Sequence, residues 1–337
     1  MRFLSDNTAS ACPEILAAMT AANRGRVPAY GEDQWTLRLD RCLSDFFGTE
    51  VRAFAVTTGT AANALSLATV SPPYGAIFAH EAAHIATDEC GAPGFFCGGA
   101  QLVLLPGEHG RLAPERFCAA LAAHPRHLHS VQAAVLSVTQ ATELGTAYRR
   151  RELTQLTEAA HERGLRVHMD GARFANALAF LDCHPGDISW RAGIDVLSFG
   201  ATKNGALAAE AVVFFERSLV QDFELHRKRA GHLLSKSRYT AVQLLTYIES
   251  GLWKKNAVRT NTLAQRIGRA AGEALLHPVE ANEVFLRLGA ERRQRLREDG
   301  FEFYDWGAES CGEARLVVSW DQPEEDVQAL CEALVRL

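Results

Sequence analysis

Short, unbroken apolar runs recur along the first part of the chain. VRAFAV (51–56), AIFA (76–79), QLVLL (101–105), AAVLSV (133–138), LRVHM (165–169), IDVLSF (194–199) and AVVFF (211–215) carry almost no polar alternation. That is the signature of strands buried on both faces of a largely parallel sheet. Helical stretches separate several of them, most clearly RRRELTQLTEAAHERG (149–164), closed by Gly164. An earlier helix is expected from Pro13 at a first-turn position, with Ile15, Leu16 and Met19 on one face and Gly25 as its stop. Strands alternating with helices define an α/β domain. After about residue 216 the pattern changes to long helices, including 240–276. Strand-like VFLRL (284–288), FEFYDW (301–306) and ARLVVSW (314–320) follow, then a final helix from Pro323. The expected organisation is a large α/β domain over 1–240 and a helical bridge leading into a smaller C-terminal α+β domain over 241–337.

Composition narrows the function classes. With 35 Lys+Arg against 40 Asp+Glu, the 337 residues carry a net charge of −5, and 47% of them are hydrophobic. This is an ordinary folded composition, too acidic for a broad nucleic-acid platform but open to small anionic ligands. The start, MRFLSDNTASACPE, lacks the apolar core of an export signal, and no run reaches membrane-spanning length. The eight cysteines show no CxxC pair and read as free, mostly buried thiols of a cytoplasmic protein. HPRHLHS (124–130) groups His124, His127 and His129 without a carboxylate or cysteine at ligand spacing, so no metal site is expected there.

Ligands of open α/β sheets bind beyond the carboxyl ends of the strands. The residues that follow the predicted strands are Thr58-Gly59-Thr60, His84, Asp170-Gly171-Ala172-Arg173 and Ala201-Thr202-Lys203-Asn204-Gly205. Each is ambiguous by itself. TTGTAAN alone reads first as a simple helix cap, Asp170 with Arg173 as a surface ion pair, and Lys203 as an exposed lysine. In this order, however, they supply the three contacts that pyridoxal phosphate needs. Its phosphate needs donors, its pyridinium nitrogen an anion, and its aldehyde an amine.

SDNTA (5–9), YGED (30–33), the Gly59-Thr60 turn, His84 with ECGA (89–92), HMDGAR (168–173), ATKNGA (201–206) and ARLVVSW (314–320) occur in one order along the chain. In that ordered set the sequence resembles, over essentially its full length, the low-specificity L-threonine aldolases of the β-eliminating lyase family, fold type I pyridoxal phosphate enzymes. The resemblance implies a large cofactor-binding domain built on a mainly parallel seven-stranded sheet. Lys203 matches the Schiff-base lysine, with Thr202 beside it and Gly59 and Thr60 at the phosphate. His84 matches the histidine stacked on the cofactor ring, Asp170 the partner of the pyridine nitrogen, and Arg173 a contact to the cofactor phenolate and the substrate carboxylate. Ser5 and Arg315 match further carboxylate contacts, although ARLVV alone reads as a strand with Arg315 outward.

The activity so implied is reversible cleavage of L-threonine, L-allo-threonine and related β-hydroxy-α-amino acids to glycine and an aldehyde. Another lyase, a racemase or an aminotransferase on the same scaffold, or a non-catalytic cofactor-binding protein, are the competing readings. Related aldolases often carry Asn-Thr-His after the strand matching AAVLSV, whereas this chain has Thr139-Gln140-Ala141-Thr142-Glu143. The expected base is therefore His84 or a water it holds, with Glu143 second if its loop points inward. The resemblance also implies a homodimer or homotetramer with active sites at subunit interfaces, to which Tyr30, Lys228 and Lys236 are candidate contributors.

Overall fold

The computed structural model describes residues 1–336. All seven apolar runs form strands: β1 (Arg52–Val56), β2 (Gly75–His80), β3 (Gln101–Leu105), β4 (Gln132–Thr139), β5 (Arg166–Gly171), β6 (Val196–Gly200) and β7 (Glu210–Phe214). They join in one seven-stranded sheet of order β1-β7-β6-β5-β4-β2-β3. Only β7 runs against its neighbours; the other pairings are parallel.

Alternation along β6 sends Leu197 and Phe199 into one apolar cluster with Phe47, Phe174 and Tyr247, and Val196 into another with Ile77, Val135 and Phe214. With both faces covered there is no solvent side to demand polar residues, which is why the runs are continuous. Strand β3 is the exception. It lies at the sheet edge and is only partly buried.

The helix expected over 149–164 spans Arg150–Glu162 and buries Leu153, Leu156 and Ala160. The first helix spans Pro13–Ala22, but only Ile15 of its three expected core positions is buried, and Leu16 is 47% exposed. Adjacent helical positions point roughly 100° apart, so Leu16 cannot share the inward face of Ile15. The stretch 240–276 divides into Arg238–Glu249 and Leu252–Ala271, separated at Gly251, which takes φ +74.

A second, antiparallel sheet contains β8 (Glu283–Arg287), β9 (Tyr304–Trp306) and β10 (Glu313–Val317) in the order β8-β10-β9. Only the end of FEFYDW is strand; Phe301 and Phe303 instead fill the core between this sheet and its helices. Phe3, fully buried, belongs to the same core. Its N–H donates to the Glu302 carbonyl at 2.8 Å and its carbonyl accepts from the Val317 N–H at 2.9 Å. The first residues of the chain are thereby stitched to its C-terminal sheet.

The eight cysteines are free, but only Cys12, Cys42 and Cys97 are buried, while Cys90, Cys118 and Cys311 are exposed. "Mostly buried" therefore fails as a description of them. His124 is turned onto the Phe78 ring, 5.3 Å between centroids, with Nδ1 at 3.0 Å from the Ala120 carbonyl. Among the described residues no group of three or more His, Cys, Asp or Glu could hold a metal ion. No helix among them is long and apolar enough to cross a membrane.

Candidate active site

The loops after β1, β2, β4, β5 and β6 converge at one edge of the large sheet around a cavity of about 340 Å³. Its wall contains Gly59, Thr60, His84, Asp170, Arg173, Thr202 and Lys203. An adjoining cavity is lined by Ser5 and Arg315, with His84, Arg173 and Lys203 common to both. All nine residues singled out in the sequence thus meet in one region, although they come from both ends of the chain.

One end of the larger cavity is a helix start. Thr58 is extended, and its side chain caps the helix Gly59–Val70 by accepting from the Ala61 N–H at 3.2 Å. The first amides of a helix have no partner within it. Those of Gly59 and Thr60 stand at the cavity wall, and nothing lies within 4 Å of the place a Gly59 Cβ would occupy. An anion can approach this backbone closely and meet the positive end of the helix.

Lys203 lies in the short turn Thr202–Asn204. Thr202 Oγ1 accepts from the Ala209 N–H at 3.1 Å, and Asn204 donates to the Tyr247 hydroxyl at 2.6 Å. The turn ends at Gly205, φ +112, where a Cβ would collide with Cys12 Sγ. Only glycine suits that position. Lys203 forms no ion pair among the described residues, so its amine is left to the cavity.

The same cavity is also lined by members of a hydrogen-bonded chain of side chains. The Asn63 amide donates to Asp170 Oδ2 at 2.7 Å and to Glu89 Oε1 at 2.8 Å. Asp170, 4% exposed, also accepts from the Ala172 N–H at 2.9 Å. Glu89 Oε1 lies 2.9 Å from His84 Nδ1. The bond to Glu89 raises the His84 pKa against the opposing effect of burial. His168 of the HMDGAR segment lies within the sheet instead, between Ser137 and Ser198 at 2.9 and 3.0 Å, and burial lowers its pKa to about 4. It is a neutral structural residue.

Arg173, 8% exposed, makes a two-pronged contact with Asp6, at 2.8 and 2.9 Å, and lies 3.2 Å from Glu283. Burial disfavours its charge, but the two carboxylates more than offset this and raise its pKa. Arg315 does not face outward. Its guanidinium reaches Glu283 Oε1 at 2.8 and 3.2 Å and packs against the Trp306 ring. Asn282 donates to Asp6 at 3.0 Å, closing a buried cluster of alternating charge at the junction of the two sheets. Ser5 lies at its rim, capping the short turn Asp6–Thr8.

Sequence reasoning assigned no role to Asp6, Asn63, Glu89, Glu210 or Glu283. Glu210 starts the antiparallel β7 and so reaches the same sheet edge as the ends of the parallel strands. Its carboxylate accepts from the Ala201 N–H at 2.8 Å, and burial pushes its pKa up to about 7. A charge opening the otherwise apolar EAVVFF was the available signal. Glu143, ranked second to His84 as a base, does point inward and lines both cavities.

The fold is one that an aspartate aminotransferase from Rhodobacter sphaeroides shares, superposing at a TM-score of 0.76 (17% identity, 100% of this chain and 92% of that one). Within that fold the chain belongs to the beta-eliminating lyase family, whose sequence profile matches residues 2–291. It is 43% identical to the low specificity L-threonine aldolase of Pseudomonas aeruginosa over 98% of this chain and 95% of that protein. The yeast protein of that name, from Saccharomyces cerevisiae, is 26% identical over 86% of this chain and 74% of its own length. In three dimensions this chain matches the threonine aldolase of Leishmania major at a TM-score of 0.93, with 26% identity and 99% and 98% of the two chains covered.

Proposed function

We propose that this protein is a pyridoxal-phosphate-dependent carbon–carbon lyase that cleaves L-threonine, L-allo-threonine and related β-hydroxy-α-amino acids to glycine and an aldehyde. The observation that carries this reading is a pair of cavities that share Lys203 and Arg173, one with a buried aspartate and a helix start in its wall, the other with Arg315. The donor set suits the cofactor: unpaired amides for a phosphate, an anion for a ring nitrogen, a free amine for an aldehyde. Gly59, Thr60 and Thr202 would hold the phosphate, Asp170 the ring nitrogen, and Lys203 would bond to the aldehyde. His84 would lie against the ring, with Arg173 near its phenolate. Bound there, the cofactor supplies an electron sink for the pair released when the Cα–Cβ bond breaks.

The chain's own residues orient that bond. A carboxylate held by Arg315, with Arg173 and Ser5 beside it, fixes the substrate in one rotation and leaves the Cβ side toward His84 and Glu143. We expect Arg315→Ala to raise KM for threonine about 10- to 100-fold, the equivalent of a lost charge-assisted hydrogen bond. Steady-state kinetics check this, and a wild-type KM would remove the carboxylate role.

Homodimeric or homotetrameric assembly is part of the same proposal. Tyr30 is 53% exposed, with Lys228 Nζ 4.8 Å from its ring centre, and exposed Leu37 and Leu225 add apolar surface. Lys236 is exposed next to Ser235, whose carbonyl accepts from the Tyr30 N–H. Eight free thiols support a reducing, cytoplasmic setting. The division into units over 1–240 and 241–337 is likewise proposed, with the buried charge cluster as the joint.

Purified protein loaded with pyridoxal phosphate and given L-threonine, L-allo-threonine and phenylserine in parallel should release glycine and the matching aldehyde without a keto acid. Cofactor binding with aldehyde at background for all three would replace aldol cleavage by another reaction of the scaffold.

A further inference from the structure

Glu143 sits in the loop that leaves β4. The loop is fixed by bonds from Thr142 N–H to the Thr146 carbonyl at 2.8 Å and from Gly145 N–H to the Thr142 carbonyl at 3.0 Å. One carboxylate oxygen, Oε1, accepts from the His84 N–H at 2.8 Å and from the Thr139 hydroxyl at 2.7 Å. The other, Oε2, is buried and has no hydrogen-bond partner among the described residues. A carboxylate oxygen hidden from water with no donor is costly to keep, and such an atom marks a place where a ligand brings a donor. Glu143 lines the cavity of Lys203 and also the cavity of Arg315. A substrate whose nitrogen is near Lys203 and whose carboxylate is near Arg315 presents its remaining substituent to that shared wall.

We propose that Glu143 is the catalytic residue that takes the β-hydroxyl proton of the substrate, with His84 serving to hold it through the backbone. The assignment rests on the aldolase reading above. In the step, the hydroxyl proton passes to Oε2, and the O–H pair becomes the second bond of the leaving carbonyl. The Cα–Cβ pair stays with Cα, where the bound cofactor would supply the electron sink, and one proton returned to Cα completes glycine. No net proton or electron is gained or lost.

His84 has its Nδ1 already engaged by Glu89 at 2.9 Å, whereas Oε2 of Glu143 has no partner among the described residues. For Glu143, burial and then the nearby Asp170 charge push the pKa up to about 7, over the opposing hydrogen bonds from Thr139 and His84. A base with that value is half ionised at neutral pH, close to the optimum for proton transfer. The charged and titratable groups lining the same two cavities are Asp170 from β5, Lys203, Arg173, His84, Asp88, Glu210, Glu283 and Arg315, and the uncharged Tyr148 phenol also lies near it.

The test compares wild type, E143Q and E143D, each loaded with cofactor. E143Q should lower kcat for threonine by roughly 10² to 10⁴-fold, the usual contribution of a positioned base. Glycine affinity, read from the cofactor absorbance, should stay within about threefold. The acidic limb of the wild-type pH–kcat/KM profile should disappear in E143Q, and E143D should restore part of both rate and limb. A readout without cofactor is the melting temperature of the apo-protein. The folded-state pKa lies above the reference 4.5, so wild type loses stability as pH rises from there through about 7. E143Q should therefore melt above wild type at about pH 8 and together with it at about pH 5. Full cleavage by E143Q with its acidic limb intact, or a rate loss matched by an equal loss of glycine binding, overturns the assignment while the aldolase reading stands. A wild-type enzyme that cleaves none of the three hydroxyamino acids takes down both.

Discussion

Lys203→Ala should lose threonine cleavage by roughly 10⁴ to 10⁶-fold, the range found when the nucleophile of a catalytic unit is removed. The reason is local. No other lysine lines either cavity, and the Lys203 amine has no ion-pair partner among the described residues to divert it. Removing it deletes the only amine at this wall that could form a covalent link to the cofactor aldehyde. Two readouts separate this from misfolding. Borohydride should trap cofactor on the peptide containing position 203 in wild type and on no peptide in the variant, while the melting temperature of the apo-protein should change little. The turn is held by Thr202, Asn204 and Gly205 rather than by the lysine itself. Borohydride labelling that persisted elsewhere in the variant would show that another lysine carries the cofactor.

What could be read from the sequence follows from how local each signal is. The strands of the large sheet are continuous apolar runs, and burial on both faces writes that pattern directly into adjacent residues. Asp170 and Lys203 were legible for a related reason, since each follows a strand whose end the pattern locates. Asn63, by contrast, is one of several polar residues in an Ala-rich helix, and its meaning comes from Asp170 and Glu89, which are remote in sequence. Asp6 and Arg173 are 167 residues apart, and Arg315 and Glu283 are 32 apart on neighbouring antiparallel strands. No periodicity encodes such a pair. The same limit hid the direction of Arg315. Alternation in a short strand of the small sheet cannot tell which face meets the other domain, and only the resemblance turned it inward. Glu143 lay between these cases, a carboxylate noticed in the loop whose direction depended on a turn closed by Thr142, Gly145 and Thr146.

The second large effect belongs to Asp6, a residue of the SDNTA segment to which sequence reasoning gave no chemical role of its own. Asp6→Ala should destabilise the protein by about 3 kcal/mol at neutral pH, because it removes one partner of a buried ion pair and leaves the other with its desolvation uncompensated. Asp6 is 2% exposed and accepts both prongs of Arg173 as well as the Asn282 amide. Glu283 still faces Arg173 in the variant, which keeps the loss at the lower end of that range. The pH dependence gives the signature. Burial alone would raise the Asp6 pKa, yet the charges of Arg173 and Lys203 and the bonds it accepts bring it below the reference 3.8. Its contribution is therefore complete above that value and is lost as pH falls through the lower folded-state pKa. Wild type and variant should differ in denaturant midpoint at pH 7 and converge in strong acid, and equal midpoints at pH 7 would show that the pair adds no net stability. Because Phe3 is locked into the small-sheet core three residues earlier, Asp6 ties that core to the loop carrying Arg173. The substitution should consequently also weaken amino-acid binding, since the two arginines at the carboxylate end are positioned from opposite sides of this joint.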